Sequence, residues 1–264
     1  MKFEELRHKV VVVTGAGSGI GQSIALGFAS QGATVAVTDL SKESAESTRA
    51  MIDEAEGGTA FALACDVSDE SSVEKMVAET LQTAGHIDIL VNSAGIVCKK
   101  TPTVEVSEAD WELILSVNLK GTFLCSKHAG KVFIENRNGT IINIGSISAK
   151  IPRWRMAPYS ASKAAVVQLT RVMAIEMAEY GVRVNTICPG GTVTPLMQTS
   201  MERDGKSSLD YRIHGDRHFF RAGIPLRRMA QPDDHVGAAL FLASDAAKHI
   251  TGQSLYIDGG ESII

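Results

Sequence analysis

No CxxC pair occurs in this chain, and Cys65, Cys98, Cys125 and Cys188 stand far apart at uneven spacing. That absence argues against a disulfide framework or a cysteine-rich zinc site and fits reduced thiols in a core. No HExxH motif and no clustered set of His, Asp and Glu is visible in the sequence, so no metal is expected. Blocks of like charge are also missing. The 26 Lys and Arg and 30 Asp and Glu are interspersed and leave a net charge of -4, which argues against a nucleic-acid partner or an anionic membrane. The apolar run near the start is the valine run at 10–13, too short for a secretory signal and far too short to span a bilayer. A cytoplasmic protein is the expectation. No repeat, low-complexity tract or Pro/Gly/Ser-rich linker divides the 264 residues, which read as a single domain over 1–264.

What the chain does have is alternation. Short β-branched runs at 10–14, 34–39, 59–65, 87–92, 140–146, 183–188 and 254–258 read as strands. Stretches of helical periodicity at 22–30, 41–56, 68–84, 107–136 and 158–180 separate the first six. Strand, helix and strand in repeated order predict βαβ units feeding a parallel sheet. Several strands are apolar at consecutive positions, as a sheet covered by helices on both faces requires. The expected fold is therefore α/β, a doubly wound seven-stranded parallel sheet. The segment 195–225 breaks the alternation; it is polar, carries "HGDRHFFR" and reads as a lid over a substrate.

In such a sheet ligands bind beyond the carboxyl ends of the strands. The first strand delivers "TGAGSGIG" at 14–21, which fits TGxxxGxG rather than GxGxxG. Gly15 permits a tight strand-to-helix turn, Gly19 lets the backbone approach a pyrophosphate, and Gly21 allows close helix packing. The phosphates would lie at the helix N-terminus, where unpaired N–H groups and the dipole favour an anion. A plain glycine turn is the competing reading, and the placement between strand and helix favours the dinucleotide. The second strand ends in Asp39, whose carboxylate can accept from ribose hydroxyls and repel a 2′-phosphate, favouring NAD over NADP; a helix N-cap is its competing role. The third strand ends beside Asp66, expected near the adenine. The fourth ends in "NSAG" at 92–95, whose small residues let a cofactor lie against the backbone.

The fifth strand ends near Ser146, thirteen residues before Tyr159. Tyr159 and Lys163 project from one helical face, one turn apart. Alone they read as surface neighbours; with Ser146 at the same crevice they read as a phenol whose proton affinity is set by an ammonium. Asn118, within "SVNLKG", interrupts the apolar face of the preceding helix. Alone it reads as a structural hydrogen-bonder or a kink.

Together, "TGAGSGIG", Asp66, "NSAG", Asn118, Ser146, "YSASK", "PGGTVTP" and the "DGG" at 258–260 resemble the short-chain dehydrogenase/reductase family, in that family's order and over nearly the whole chain. The resemblance implies a Rossmann-like fold and catalytic roles for Asn118, Ser146, Tyr159 and Lys163. It implies cofactor contacts from Gly15, Ser18, Gly19, Ile20, Gly21, Asp39, Asp66, Val67, Asn92, Ala94, Gly95, Tyr159, Lys163, Pro189 and Gly190, with Thr192 and Thr194 at the nicotinamide carboxamide. It implies a homotetramer in which two long helices form a dimer face. Ser93 departs from the asparagine usual in the family.

The reaction implied interconverts a secondary alcohol and a ketone. A free tyrosine, with a pKa of about 10, is a poor base at neutral pH. Lys163 and the cationic ring of oxidised cofactor are expected to lower that value, so that Tyr159 takes the alcohol proton as the hydride passes to the nicotinamide. Ser146 would hold the substrate oxygen, and Asn118 a water that relays the proton.

Substrate choice is expected in "ISAKIPRWRMAP", with Arg153, Trp154 and Arg155, and in the lid, with Tyr211, Arg212, His214, Arg217, His218 and Phe220. Arginine reads carboxylates with a planar fork. Arg153, Arg155, His214 and Arg217 are therefore candidates for binding a small acidic, hydroxylated substrate, such as a cyclic dihydrodiol acid. Solvation at the surface or contact with a neighbouring subunit is their competing role. A sugar-acid or polyol dehydrogenase would use the same pocket. A 3-oxoacyl thioester reductase would want a basic residue where Asp39 stands. A catalytically silent NAD-binding regulator would be expected to have lost Tyr159 or Lys163.

Overall fold

The valine run forms the first strand of the computed structural model, which describes residues 3–55, 57–203 and 209–263. Strand β1 (Val10–Thr14) is buried at every position. Val11 and Val13 enter one core and Val12 the other, because successive strand side chains point to opposite faces. An apolar run without polar alternation thus marks a strand covered on both sides. Each buried valine contributes up to about 1.5–3 kcal/mol.

Strands β2 (Thr34–Asp39), β3 (Thr59–Ala64), β4 (Ile89–Asn92), β5 (Gly139–Ile144), β6 (Val182–Pro189) and β7 (Ser254–Ile257) join β1 in one sheet. All pairs are parallel and the order is β3-β2-β1-β4-β5-β6-β7. Helices α1 (Gly19–Ser30) and α2 (Lys42–Glu54) cover one face. Helix α3 (Glu70–Ala84) covers the other. The strand order reverses between β1 and β4, and a sheet wound outward from such a point leaves a crevice beyond its strand ends.

The long helix expected over 107–136 is interrupted. It comprises α4 (Glu108–Leu115), a π turn (Ser116–Gly121) and α5 (Thr122–Asn136). Ser107 caps its start by accepting from Asp110 N at 3.1 Å. The interruption sits at Asn118, which is fully buried and whose amide pairs with the Ile96 backbone in both directions: Ile96 N donates to Oδ1 at 2.8 Å, and Nδ2 donates to Ile96 O at 3.0 Å. Helix α6 (Ala157–Met177) packs beside α5, and both bury their inner faces against the core that α3 covers.

The 195–225 segment is less irregular than its composition suggests. It carries α7 (Pro195–Arg203), α8 (Asp210–His214) and a 3-10 turn (Arg217–Phe219), while its residues 204–208 lie outside the described residues. Met197, Met201, Ile224 and Met229 make a small separate core there. Helix α9 (Val236–Ala243) then packs beside α1. All four cysteines are free and buried. Among the described residues, no helix is long and apolar enough to cross a membrane.

Candidate active site

A cleft of about 310 Å³ opens beyond the ends of β1, β4, β5 and β6. Its far end is backbone. Gly15 and Gly19 have φ of +63° and +58°, a region that favours glycine. A Cβ on Gly15 would lie 2.6 Å from Ala94 Cα, and one on Gly21 would lie 2.3 Å from Gly15 O. Gly15 is therefore required by both contact and turn geometry, Gly19 by turn geometry and Gly21 by contact. Ser18 precedes α1 without a side-chain capping bond, so the first N–H groups of that helix are available to an anion. The cradle fits a dinucleotide diphosphate.

Asp39 is not the helix cap it competes to be, because Ser41 fills that role by accepting from Ser44 N at 3.2 Å. The Asp39 carboxylate accepts from Gly17 N at 2.9 Å and Ser41 N at 3.1 Å, fastening the glycine loop to the end of β2.

Midway along the cleft stand Ser146, Tyr159 and Lys163. Ser146 leaves β5 in extended conformation and accepts from Ser148 N at 3.1 Å. Tyr159 and Lys163 lie on the first turns of α6, whose start is favoured by Pro158 in the first turn. Lys163 is buried and donates from Nζ to Ile144 O at 2.8 Å, with Nζ 6.0 Å from the Tyr159 ring centroid. Loss of hydration drops the Lys163 pKa from 10.5 to about 8. Burial also pushes the Tyr159 phenol above its ordinary value, opposed by its hydrogen bond with Ser146 and, more weakly, by the charge of Arg153. In the chain alone the direction is thus opposite to the lowering expected from Lys163, because desolvation of the phenol outweighs the neighbouring charges.

Of the residues expected at the site from the sequence, Gly15, Ser18, Gly19, Ile20, Gly21, Ala94, Gly95, Ser146, Arg153, Tyr159, Lys163, Pro189, Gly190, Thr192 and Thr194 line this one cleft, as do Tyr211 and Arg212 of the lid. Asn118 lies behind its wall, pairing with Ile96 and donating to Ser162 Oγ at 3.2 Å. Asp39, Asp66, Val67 and Asn92 are outside the lining. Asp66 is exposed and accepts from Ser68, Val67 packs against Gly121, and Asn92 is buried and donates to Ser126 and Asn143. Arg155, His214 and Arg217 are exposed and do not reach the lining. Arg155 instead stacks on Trp154, at 4.1 Å from the ring. Trp154 in turn meets Phe219 and His218 of the lid, with centroids 4.8 and 6.3 Å away.

Sequence reasoning missed three residues. Arg221 lines the cleft. Glu261 is fully buried and ion-paired with Arg153 and Arg221. His235 is fully buried, with Nε2 2.9 Å from Thr192 Oγ1, and burial drops its pKa from 6.5 to about 4, so the ring is neutral. None of these partnerships has a short spacing that could have announced it. The folded chain also assembles a His/Glu cluster that the sequence did not display. Ligand atoms of Glu70, Glu74 and His128, on α3 and α5, lie within 4.8 Å of one another. Lys127 Nζ sits 2.5 Å from Glu70 there, an ammonium where a cation would have to bind, and none of the three residues lines the cleft.

A family model described as enoyl-(acyl carrier protein) reductase matches residues 15–262. The chain is 38% identical to 2,3-dihydro-2,3-dihydroxybenzoate dehydrogenase of Bacillus subtilis (strain 168), over 100% of this chain and 99% of that one. It is 41% identical to D-threitol dehydrogenase of Mycolicibacterium smegmatis, over 98% and 94%. Among solved structures, 3-ketoacyl-(acyl-carrier-protein) reductase from Brucella melitensis, complexed with NADH, superposes with a TM-score of 0.85 at 37% identity, over 97% and 99% of the two chains.

Proposed function

The chain belongs to the short-chain dehydrogenase/reductase family of NAD(P)-dependent alcohol dehydrogenases and ketoreductases, and from that premise we propose that it interconverts a secondary alcohol and a ketone on a small, polar, acidic substrate, preferring NAD(H). The observation that carries the reading is the meeting of Ser146, Tyr159 and Lys163 on one cleft whose far end is the glycine loop.

When bound, the nicotinamide ring supplies the hydride acceptor or donor. Gly15, Gly19 and the uncapped start of α1 would hold the diphosphate, with Thr192 and Thr194 toward the carboxamide. Tyr159 moves one proton at Oη, taking it from the alcohol in oxidation and returning it to the ketone oxygen in reduction. Ser146 hydrogen-bonds the same substrate oxygen and holds it in line. Lys163 uses one N–H on Ile144 O; its charge favours the phenolate, and its remaining N–H groups are available to the cofactor ribose. The Asn118 amide is engaged at both ends, so its role in this reading is to fix Ile96 and the widened turn rather than to grip a relay water with its side chain.

Asp39 supports NAD, since its carboxylate suits ribose hydroxyls and repels a 2′-phosphate; Asp66 and Val67 would flank the adenine. The similar Brucella melitensis reductase is complexed with NADH. A cyclic dihydrodiol acid is the first candidate substrate, from the likeness to the Bacillus subtilis enzyme. A polyol is the second reading, favoured by the likeness to D-threitol dehydrogenase. The same proposal takes residues 1–264 as one domain in a cytoplasmic homotetramer. Exposed Leu113, Phe123, Val172 and Ile175, on α4, α5 and α6, support a subunit face there, and light scattering at a monomer mass would refute it.

The test follows NADH formation by the purified protein with hydroxy acids, their neutral amides and polyols. Turnover is expected with NAD favoured over NADP by about tenfold. Absence of turnover with every secondary alcohol, and of NADH consumption with the matching ketones, overturns the reading.

A further inference from the structure

Three segments remote in sequence meet at the substrate end of the cleft. Glu261, in the turn after β7, is 0% exposed, and its Oε1 lies 2.7 Å from Arg153 Nη2 and 2.6 Å from Arg221 Nη2. The two arginine side chains are only 11% and 12% exposed. Arg221 Nε and Glu261 Oε2 are buried and have no hydrogen-bond partner among the described residues. Asp258 fixes the turn that carries Glu261, accepting from Gly260 N at 3.0 Å and Ser262 N at 2.9 Å.

The charges in this knot do not cancel. Two guanidiniums face one carboxylate, leaving one positive charge where water screens poorly. Burial, then repulsion from Arg153, lowers Arg221 to about 10 despite the Glu261 partner. No counter-ion comes from the cleft itself: Lys100, Arg153, Lys163, Arg212 and Arg221 line it, and among the described lining residues none is acidic. A buried charge without a partner is unfavourable, whereas an anion delivered by a ligand would neutralise it and give Arg221 Nε an acceptor.

We propose that Arg153 and Arg221, bridged by Glu261, form a receptor for one carboxylate of the substrate. Glu261 is a positioning residue in this receptor. It pins Arg221 of the lid against Arg153 of the loop after β5, and it sets the excess at a single charge, which suits a carboxylate better than a phosphate dianion. The proposal rests on the dehydrogenase reading only for the identity of the bound molecule as substrate.

The experiment measures binding to the full chain with NADH present, using matched carboxylate and carboxamide pairs from acetate and acetamide up to benzoate and benzamide. The carboxylate of at least one pair is expected to bind about 10- to 100-fold tighter than its amide, and Arg221→Gln should bring that ratio close to one by weakening the carboxylate member. A merely structural Arg221 would weaken both members alike. Glu261→Gln leaves two unbalanced guanidiniums, so phthalate should gain on benzoate by about tenfold. Equal binding within every pair, no binding of any carboxylate, or an Arg221→Gln variant with the wild-type ratio overturns the receptor. An unchanged phthalate-to-benzoate ratio in folded Glu261→Gln removes Glu261 from it, and if that variant does not fold, Arg221→Gln decides alone. Turnover is scored separately. NADH formation from neutral alcohols with flat ratios leaves the dehydrogenase and removes the receptor, while carboxylate preference without turnover of any hydroxy compound does the reverse.

Discussion

The two ends of the cleft are built from different materials. The glycine-loop end is main chain: Gly15 and Gly19 at positive φ and an uncapped helix start, fastened from behind by Asp39 on Gly17 N, Thr48 on Ala16 O and Gln22 on Gly17 O. The substrate end is side chain: Arg153, Arg221 and Glu261, with the lid held to the loop after β5 through Trp154 and Phe219. A main-chain site serves any ligand with the right phosphate spacing, because its donors are backbone N–H groups, which every residue type but proline carries. A side-chain site can be exchanged residue by residue without disturbing the sheet. The division leaves the sheet and its glycine loop intact when residues at the other end are altered.

The contrast can be broken at the point where the two ends meet. Tyr159→Phe should lower kcat by about 10²–10⁴-fold while NADH affinity, read by fluorescence titration, falls by no more than about tenfold, the loss of one contact. An unchanged kcat would move the proton transfer elsewhere. His235 tests the seam through pH. Its folded pKa of about 4 lies below the ordinary 6.5, so between those values the unfolded chain binds the extra proton. Stability should therefore fall as pH drops from 6.5 to 4, by on the order of 3 kcal/mol once both states are protonated. Urea midpoints at pH 7 and pH 4.5 should show a smaller gap in His235→Gln, and an equal gap would refute the assignment.

Smaller effects sharpen the comparison. Gly15→Ala places a Cβ at positive φ against Ala94 and should cost about 1–3 kcal/mol of stability together with weaker NADH binding. Arg155→Ala, at the other end, removes only an exposed stack on Trp154 and should cost about 0.5–1 kcal/mol or less. Equal losses at the two positions, by thermal melts, would erase the distinction between main-chain and side-chain construction. Asp39→Ala should shift the NAD/NADP preference toward NADP by about tenfold in kcat/KM, and an unchanged ratio would detach Asp39 from the cofactor.

The same division decides what could be read from the sequence. A strand buried on both faces announces itself as four valines, and a loop that leaves no place for a Cβ at three spaced positions announces itself as glycines there, so β1 and the Gly15 to Gly21 turn were legible in the residues. Tyr159 and Lys163 were legible because helical geometry converts their spacing into a shared face. For Arg155, His214 and Arg217 the residue type and the segment both suit a carboxylate, but neither says which way a loop turns; Arg155 is at φ +58° and stacks on Trp154. The bond from Arg153 to Glu261 spans 108 residues and leaves no periodicity to detect. The pull of burial on Tyr159 was likewise invisible, because desolvation depends on everything packed around a group.

The π turn at Ser116–Gly121 bears on how the chain tolerates change in length. A helix with a widened turn carries one residue more than a regular helix of the same rise. Deleting a single residue here would let residues 107–136 wind as one uninterrupted rod. Each residue of an α-helix advances the direction of its side chains by about 100°, so the repaired rod would turn Asn118 away from Ile96 or rotate α5 out of its seat on the sheet. An insertion or deletion that costs little in a surface loop would here mend the local hydrogen bonding and misalign the wall of the cleft.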